Sequence, residues 1–239
     1  MLFNHKTHKL QSFCHACYST AFARLFCDYM TRVLGLYPVF VAVAFWMKDR
    51  HDRMNELIDS KQIKTGKFIL IRFLAILTAV MIPVVLLSFE SLIPLAEYSA
   101  DTGIAIDTLA FIKYIIWWLL PTVTIVTALG MFLTILTSTP LSILVQFVWW
   151  FVDSATTELS GDITWHTLMI RHNMLNGSEL IHQNLAVICL NRGLLVLLTI
   201  LLLWLSVMVY NKKRGGKLEY GYNMQKHRRL FKNRFSSRL

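Results

Sequence analysis

The sequence predicts an all-α, polytopic membrane protein with about five transmembrane helices, and three observations carry that expectation. Hydrophobic residues make up 55% of the 239 positions and charged residues 16%, with a mean hydropathy of +0.51; soluble domains run nearer a quarter charged. Several apolar runs reach the roughly 20 residues that a bilayer crossing needs. The formal net charge of +10 is concentrated in two stretches beside those runs. Lys48, Arg50, Arg53, Lys61, Lys64 and Lys67 form one stretch, and ten basic residues between Lys212 and Arg238 form the other. Basic clusters flanking apolar runs report membrane orientation. No nucleic-acid-reading pattern accompanies them, so nucleic acid is not an expected partner.

The elements follow in chain order. Five spans with a cytoplasmic tail place residues 1–29 outside or at the interface, although they carry Lys6, Lys9, Arg24 and several histidines and lack the apolar core of a signal peptide. The first span covers about 30–47, where Gly35 and Pro38 predict a kink or a break. A second span covers 68–89, with Arg72 near one end, where it can snorkel to the headgroups. No charged residue falls between Tyr114 and Val152, which is room for two spans, 114–136 and 139–153. Thr137-Ser138-Thr139-Pro140 is the natural turn, because proline lacks an amide donor and disfavours helix at the residue before it. The last span is 193–210.

Orientation comes from charge. The basic 48–67 stretch and the basic 212–239 tail belong in the cytoplasm of a multi-pass cell-membrane protein, so the C-terminus is cytoplasmic. Residues 90–112 hold four acidic residues and no Lys or Arg, so they face out, as does the 153–192 segment. Trp117, Trp118, Trp149 and Trp150 then form an outer aromatic belt. Within 153–192, Trp165, Leu168, Met169 and His172 recur at helical spacing, as do Leu180, Asn184, Val187 and Ile188, predicting two short external helices. His166, His172 and His182 are solvated histidines, and Asn176-Gly-Ser178 is a bare glycosylation sequon. The tail is attracted to anionic membrane lipid.

Several chemistries are excluded. The chain has no GxxxxGK[ST], no HExxH and no GxSxG. Apart from Arg72, the core of these spans holds no Asp, Glu, Lys, Arg or His, whereas ion-coupled carriers place such groups in mid-membrane. The chain is therefore not expected to be an enzyme by itself, and uphill transport would need a separate energy source. Cys14-His-Ala-Cys17 resembles half of a metal or redox site, but zinc sites pair such a motif with a second ligand pair that is missing here. Cys14 and Cys17 remain weak metal candidates, a disulfide from Cys14 to Cys17 or Cys27 is a further possibility, and incidental cysteines are the default. No bound cofactor is expected.

The stretch KDRHDRMNELIDSKQIKTGK at 48–67 is too long for a plain connection. Met54, Leu57, Ile58 and Lys61 share one helical face, with Asp49 or Asp52 placed to cap the start. This predicts a short amphipathic helix over about 51–61, serving as an interfacial anchor or as a docking helix.

The run GLYPVFVAVAFWMKDRHDRMNELIDSKQIKTGKFILIRFLA resembles the permease subunits of type-two ABC exporters of drugs, antibiotics and peptides. So do LPTVTIVTALGMFLTILTSTPLSILVQFVWW, RHN at 171–173, NR at 191–192 and YNKKRGGKL after the last span. The resemblance covers residues 30 to about 220. It implies that 51–61 is the coupling helix, with Arg53, Met54, Glu56, Leu57, Ile58 and Lys61 meeting an ABC ATPase subunit that binds ATP and Mg. It also implies a second permease subunit, as homodimer or heterodimer, and export of an amphipathic, peptide- or antibiotic-like substrate. Family members have six spans, and residues 1–29 stand where an external loop would follow the first, so that helix is expected to be missing. The alternative is a non-transporting accessory or sensory membrane protein. A membrane-embedded enzyme would need convergent His, Asp or Cys groups that these residues do not assemble.

Overall fold

The computed structural model describes residues 19–51, 63–102, 107, 109–156, 167–170, 181 and 183–214. Among them, all regular structure is helical. In chain order the helices are α1 (Ser19–Leu34), α2 (Tyr37–His51), α3 (Thr65–Thr102), α4 (Leu109–Thr137), α5 (Leu141–Thr156) and α6 (Leu185–Arg214). Helices α3, α4 and α6 are long and apolar enough to cross a membrane, and α1 with α2 passes the same test as a pair bent by 41°. Helix α5, in the place of the 139–153 span, has 16 residues. At about 1.5 Å per residue it measures about 24 Å, short of a hydrocarbon core of about 30 Å.

The bend falls where Gly35 and Pro38 predict it. Gly35 and Leu36 form a turn, and Pro38 has no amide to extend a helix through it. A Cβ on Gly35 would lie 3.0 Å from Trp150 Cδ1 and 3.1 Å from Met169 Sδ, so the turn packs closer than a larger residue allows. Helix α1 reaches back to Ser19, which makes residues 19–29 helical ahead of the expected start of the first span. Helix α3 continues through 90–102, so its acidic stretch is not a loop. Its 38 residues, about 57 Å, carry Glu90, Glu97 and Asp101 past the apolar part.

Helix α4 is widened by a π-helical turn at Ile115–Leu119, in which the Leu120 amide reaches back to the Ile115 carbonyl. Pro121 supplies the reason. In a regular α-helix its ring would meet the carbonyl four residues back, and one wider turn relieves that clash. The helix ends at Ser138 in the left-handed conformation (φ 61°), whose amide bonds the Thr134 carbonyl at 2.9 Å. The turn lies within the predicted Thr137–Pro140.

Helix α4 is the centre of the bundle and touches α2, α3, α5 and α6. Its most apolar window is 67% buried, against 28% for α3 and 22% for α6, which leaves most of the apolar surface of those two helices exposed. Between α2 and α4 the approach is close: a Cβ on Gly130 would lie 3.0 Å from Val39 Cγ2 and 3.2 Å from Ala42 Cβ. Lipid is as apolar as leucine, so helices associate through such small-residue contacts rather than through burial alone. Gly130→Leu is expected to force α2 off α4 and to cost about 1–3 kcal/mol or more. A lowered unfolding midpoint in detergent checks this.

Helix α5 is inside out. Ser142, Gln146 and Asp153 point inward and are buried, while Leu144, Phe147, Val148, Phe151 and Val152 are exposed. The inward side chains bond to other elements: Ser142 with the Thr134 hydroxyl at 2.9 Å, and Gln146 Nε2 donating to the Gly35 carbonyl at 2.6 Å. Trp150 Nε1 donates to the Arg32 carbonyl at 2.9 Å. A helix in water would turn that face outward. Elsewhere Thr31, Thr127, Thr134, Thr199 and Ser206 return their hydroxyls to the carbonyl four residues earlier, which keeps polar groups satisfied in an apolar bundle.

Candidate functional site

Two polar clusters occupy opposite ends of the bundle. The first gathers the C-terminal ends of α2, α4 and α6 and the N-terminal end of α3. Arg72 on α3 forms an ion pair with Asp49 on α2, the two side chains being 11% and 20% exposed. The guanidinium lies over the Trp46 ring at 4.7 Å and the Phe68 ring at 4.3 Å. Tyr210 of α6 completes this aromatic group, 5.9 Å from Trp46 and 5.6 Å from Phe68. Snorkelling therefore does not describe Arg72; it is packed and paired inside the bundle.

At the same end Lys213 donates to the Ile135 carbonyl, to the Leu136 carbonyl at 3.0 Å and to the Ser138 hydroxyl at 2.8 Å. A cation on the last carbonyls of α4 complements the negative end of its dipole. Arg214 donates to the Ile63 carbonyl at 3.0 Å. Lys48, Lys64, Lys67 and Lys212 stand around this rim, so the described parts of both basic stretches share one end.

The opposite end is built around Arg192 on α6, which is 4% exposed. Its Nη1 donates to the Thr122 hydroxyl at 2.9 Å, and its guanidinium lies 5.0 Å from the centre of the Trp118 ring. Thr122 in turn donates to the Leu168 carbonyl at 3.3 Å. Asp153 accepts the Leu168 amide at 3.1 Å and the Met169 amide at 2.9 Å, and Asn191 donates to the Thr167 carbonyl at 2.8 Å. These bonds explain why Thr167–Ile170 is not helical, although the spacing of Leu168 and Met169 predicts a helix there. Its backbone groups are satisfied by side chains from α4, α5 and α6, and all four residues are buried.

Sequence spacing misses this cluster. Arg192 stands one residue before the predicted last span, yet α6 begins at Leu185 and carries Arg192 buried within it. The spacing at Val187 and Ile188 belongs to that same helix. Trp118, expected in an outer belt, is 1% exposed beneath Arg192, while Trp117 beside it is 48% exposed. The available signal is the NR pair itself, an arginine abutting an uninterrupted apolar run, which is a functional marker by default.

The coupling-helix residues Arg53, Met54, Glu56, Leu57, Ile58 and Lys61 lie outside the described residues, as do Cys14, Cys17, residues 1–18 and the 215–239 tail. Cys27, a candidate disulfide partner by sequence, is a buried free thiol, and Cys189 is an exposed one. No protein family, curated protein or solved structure matches this chain.

Proposed function

We propose that the chain is the permease subunit of an ATP-driven ABC exporter, working with a separate ATPase that binds ATP and Mg and with a second permease subunit. The observation that carries this reading is how the two ends of the 52–62 segment are tied down. On its N-terminal side, Asp49 of α2 is locked to Arg72 of α3; on its C-terminal side, the Ile63 carbonyl is held by Arg214 of α6. A push on that segment reaches α2, α3 and α6 together through the Trp46–Phe68–Tyr210 group. An interfacial anchor has no need of such ties, whereas a handle that transmits force does.

In this reading the chain crosses the cell membrane five times, with the bent α1–α2 pair and α5 included, and the basic end is cytoplasmic. The inside-out face of α5 supports its placement in lipid despite its length, which tilt of neighbours and local thinning accommodate. An amphipathic or peptide-like cargo suits spans that are largely non-ionisable.

The test places a photo-crosslinking amino acid at Leu57 in the full-length protein, in membranes of the cells that make it. Crosslinking to a P-loop ATPase, lost together with ATP-dependent transport on charge reversal at Arg53 and Glu56, is the expected result. If no ATPase is captured, or if ATP turnover survives disruption of 51–61, the coupling role is wrong.

A further inference from the structure

Leu168 is held from both sides. Its amide, with that of Met169, goes to the Asp153 carboxylate at 3.1 and 2.9 Å, and its carbonyl goes to the Thr122 hydroxyl at 3.3 Å, which accepts from Arg192 Nη1 at 2.9 Å. Arg192 and Asp153 thus flank one buried residue. Asp153 is 6% exposed and spends one oxygen on each amide. Arg192 is unevenly used: Nη1 is bonded, whereas Nε and Nη2 have no hydrogen-bond partner and are shielded from solvent. Nε–H and Nη2–H form one edge of the guanidinium, the two-pronged edge that matches a carboxylate. Leaving that edge unfilled on a buried cation is costly, which favours an arrangement that gives it an acceptor. Arg192 and Asp153 are linked through Thr122 and Leu168 by hydrogen bonds of 2.9, 3.3 and 3.1 Å.

We propose that Asp153 is a shared acceptor and Arg192 its second claimant. In the present structure Asp153 holds the Leu168 and Met169 amides and pins Thr167–Ile170 into the bundle. In the other state the Nε/Nη2 edge of Arg192 takes both carboxylate oxygens, the two amides are let go, and the segment leaves the gap between α4, α5 and α6. Both arrangements are charge-assisted and both use two donors, so the element is bistable rather than uniquely closed. The π-helical turn beside Trp118, on which Arg192 stacks, is the kind of local irregularity that lets a helix shift register at such a point. The device stands on these contacts alone and does not depend on the transport reading.

The sign of one measurement separates this switch from a simple clamp. The full-length protein, with Cys14, Cys17, Cys27 and Cys189 replaced by serine or alanine and Met169 by cysteine, is reconstituted in lipid nanodiscs. Its rate of labelling by a water-soluble maleimide is then followed. Met169 is 4% exposed, so labelling reports release of the segment. Asp153→Asn, which keeps one acceptor and loses the charge, is expected to raise the rate about tenfold. Arg192→Gln removes the competitor and is expected to lower it several-fold; Arg192→Lys, which keeps charge but not the two-pronged edge, shifts it the same way by less. Thr122→Val removes the clamp and leaves the competitor, so it raises the rate. If Arg192→Gln and Arg192→Lys both accelerate labelling, Arg192 is only a clamp through Thr122, and the shared-acceptor switch is overturned. An unchanged rate in both overturns it as well. Should the glutamine variant fail to elute as a folded species, the lysine variant alone decides between the two signs.

Discussion

An Arg72→Ala protein is expected to lose about 3–5 kcal/mol of stability, because it leaves Asp49 charged, mostly buried and unpaired. Two effects add here. The ion pair is lost, and the guanidinium no longer covers the Trp46 and Phe68 rings, a contact worth up to about 2 kcal/mol when desolvated. The stranded carboxylate costs more than the lost ring contact, and that dictates the control. Arg72→Met combined with Asp49→Leu removes both charges and fills the volume, and replacing a buried pair by packed apolar groups is often neutral or stabilising. Unfolding in mixed micelles should therefore rank wild type near the double variant, with Arg72→Ala far below both. Equal losses in single and double variants would show that packing of the arginine stem, not the stranded charge, dominates.

The comparison with ordinary hydrogen bonds sharpens this. The Thr134–Ser142 bond joins α4 to α5 at 2.9 Å inside the bundle, yet interhelical bonds in membrane proteins average only about 0.6 kcal/mol. A Ser142→Ala change is thus small beside either charge cluster. The described bundle owes its specific geometry to close contacts at Gly35 and Gly130 and to a few buried charges, with the hydroxyl contacts as fine adjustment.

Much of this is legible in the residues. The apolar runs, the Thr137–Pro140 turn and the Gly35–Pro38 break follow from composition, proline chemistry and span length, and the structure turns at Ser138 and bends at Gly35–Leu36. What escapes is set by tertiary contacts. Helix α3 runs on through Glu90, Pro94, Glu97 and Asp101, so neither the acidic charge nor the single proline in that stretch ends it. Thr167–Ile170 has helical spacing but is bent, since Asp153, Thr122 and Asn191 offer its backbone better partners than its own neighbours do. Arg192 escapes any rule that starts a span after its last charge. A helix obeys no such rule when a threonine hydroxyl and a tryptophan ring are waiting for that charge.

The same logic explains why α5 hides its character in the sequence. Its apolar residues count towards a span, and three of its polar residues, Ser142, Gln146 and Asp153, look incidental beside them. They share one face, spaced by four and seven residues, and that face meets the bundle. In a membrane the informative side of a helix is its polar stripe, because lipid is content with everything else.

Asp153 is the residue on that stripe with the most to lose. Asp153→Ala is expected to cost at least about 3 kcal/mol, since two buried amides lose their acceptor at about 1–3 kcal/mol each. It also removes the carboxylate that stands across Leu168 from the buried Arg192. That second effect predicts non-additivity. Arg192→Met in the Asp153→Ala background should cost less than Arg192→Met in the wild-type protein, because the stranded charge leaves with it. A double-mutant cycle on the unfolding midpoints measures the coupling, for which residues in one hydrogen-bond network give about 0.5–3 kcal/mol. Strict additivity would mean that Asp153 serves only the Leu168 and Met169 amides. Arg192 would then be held by Thr122 and Trp118 alone, and the two charges flanking Leu168 would be neighbours without being partners.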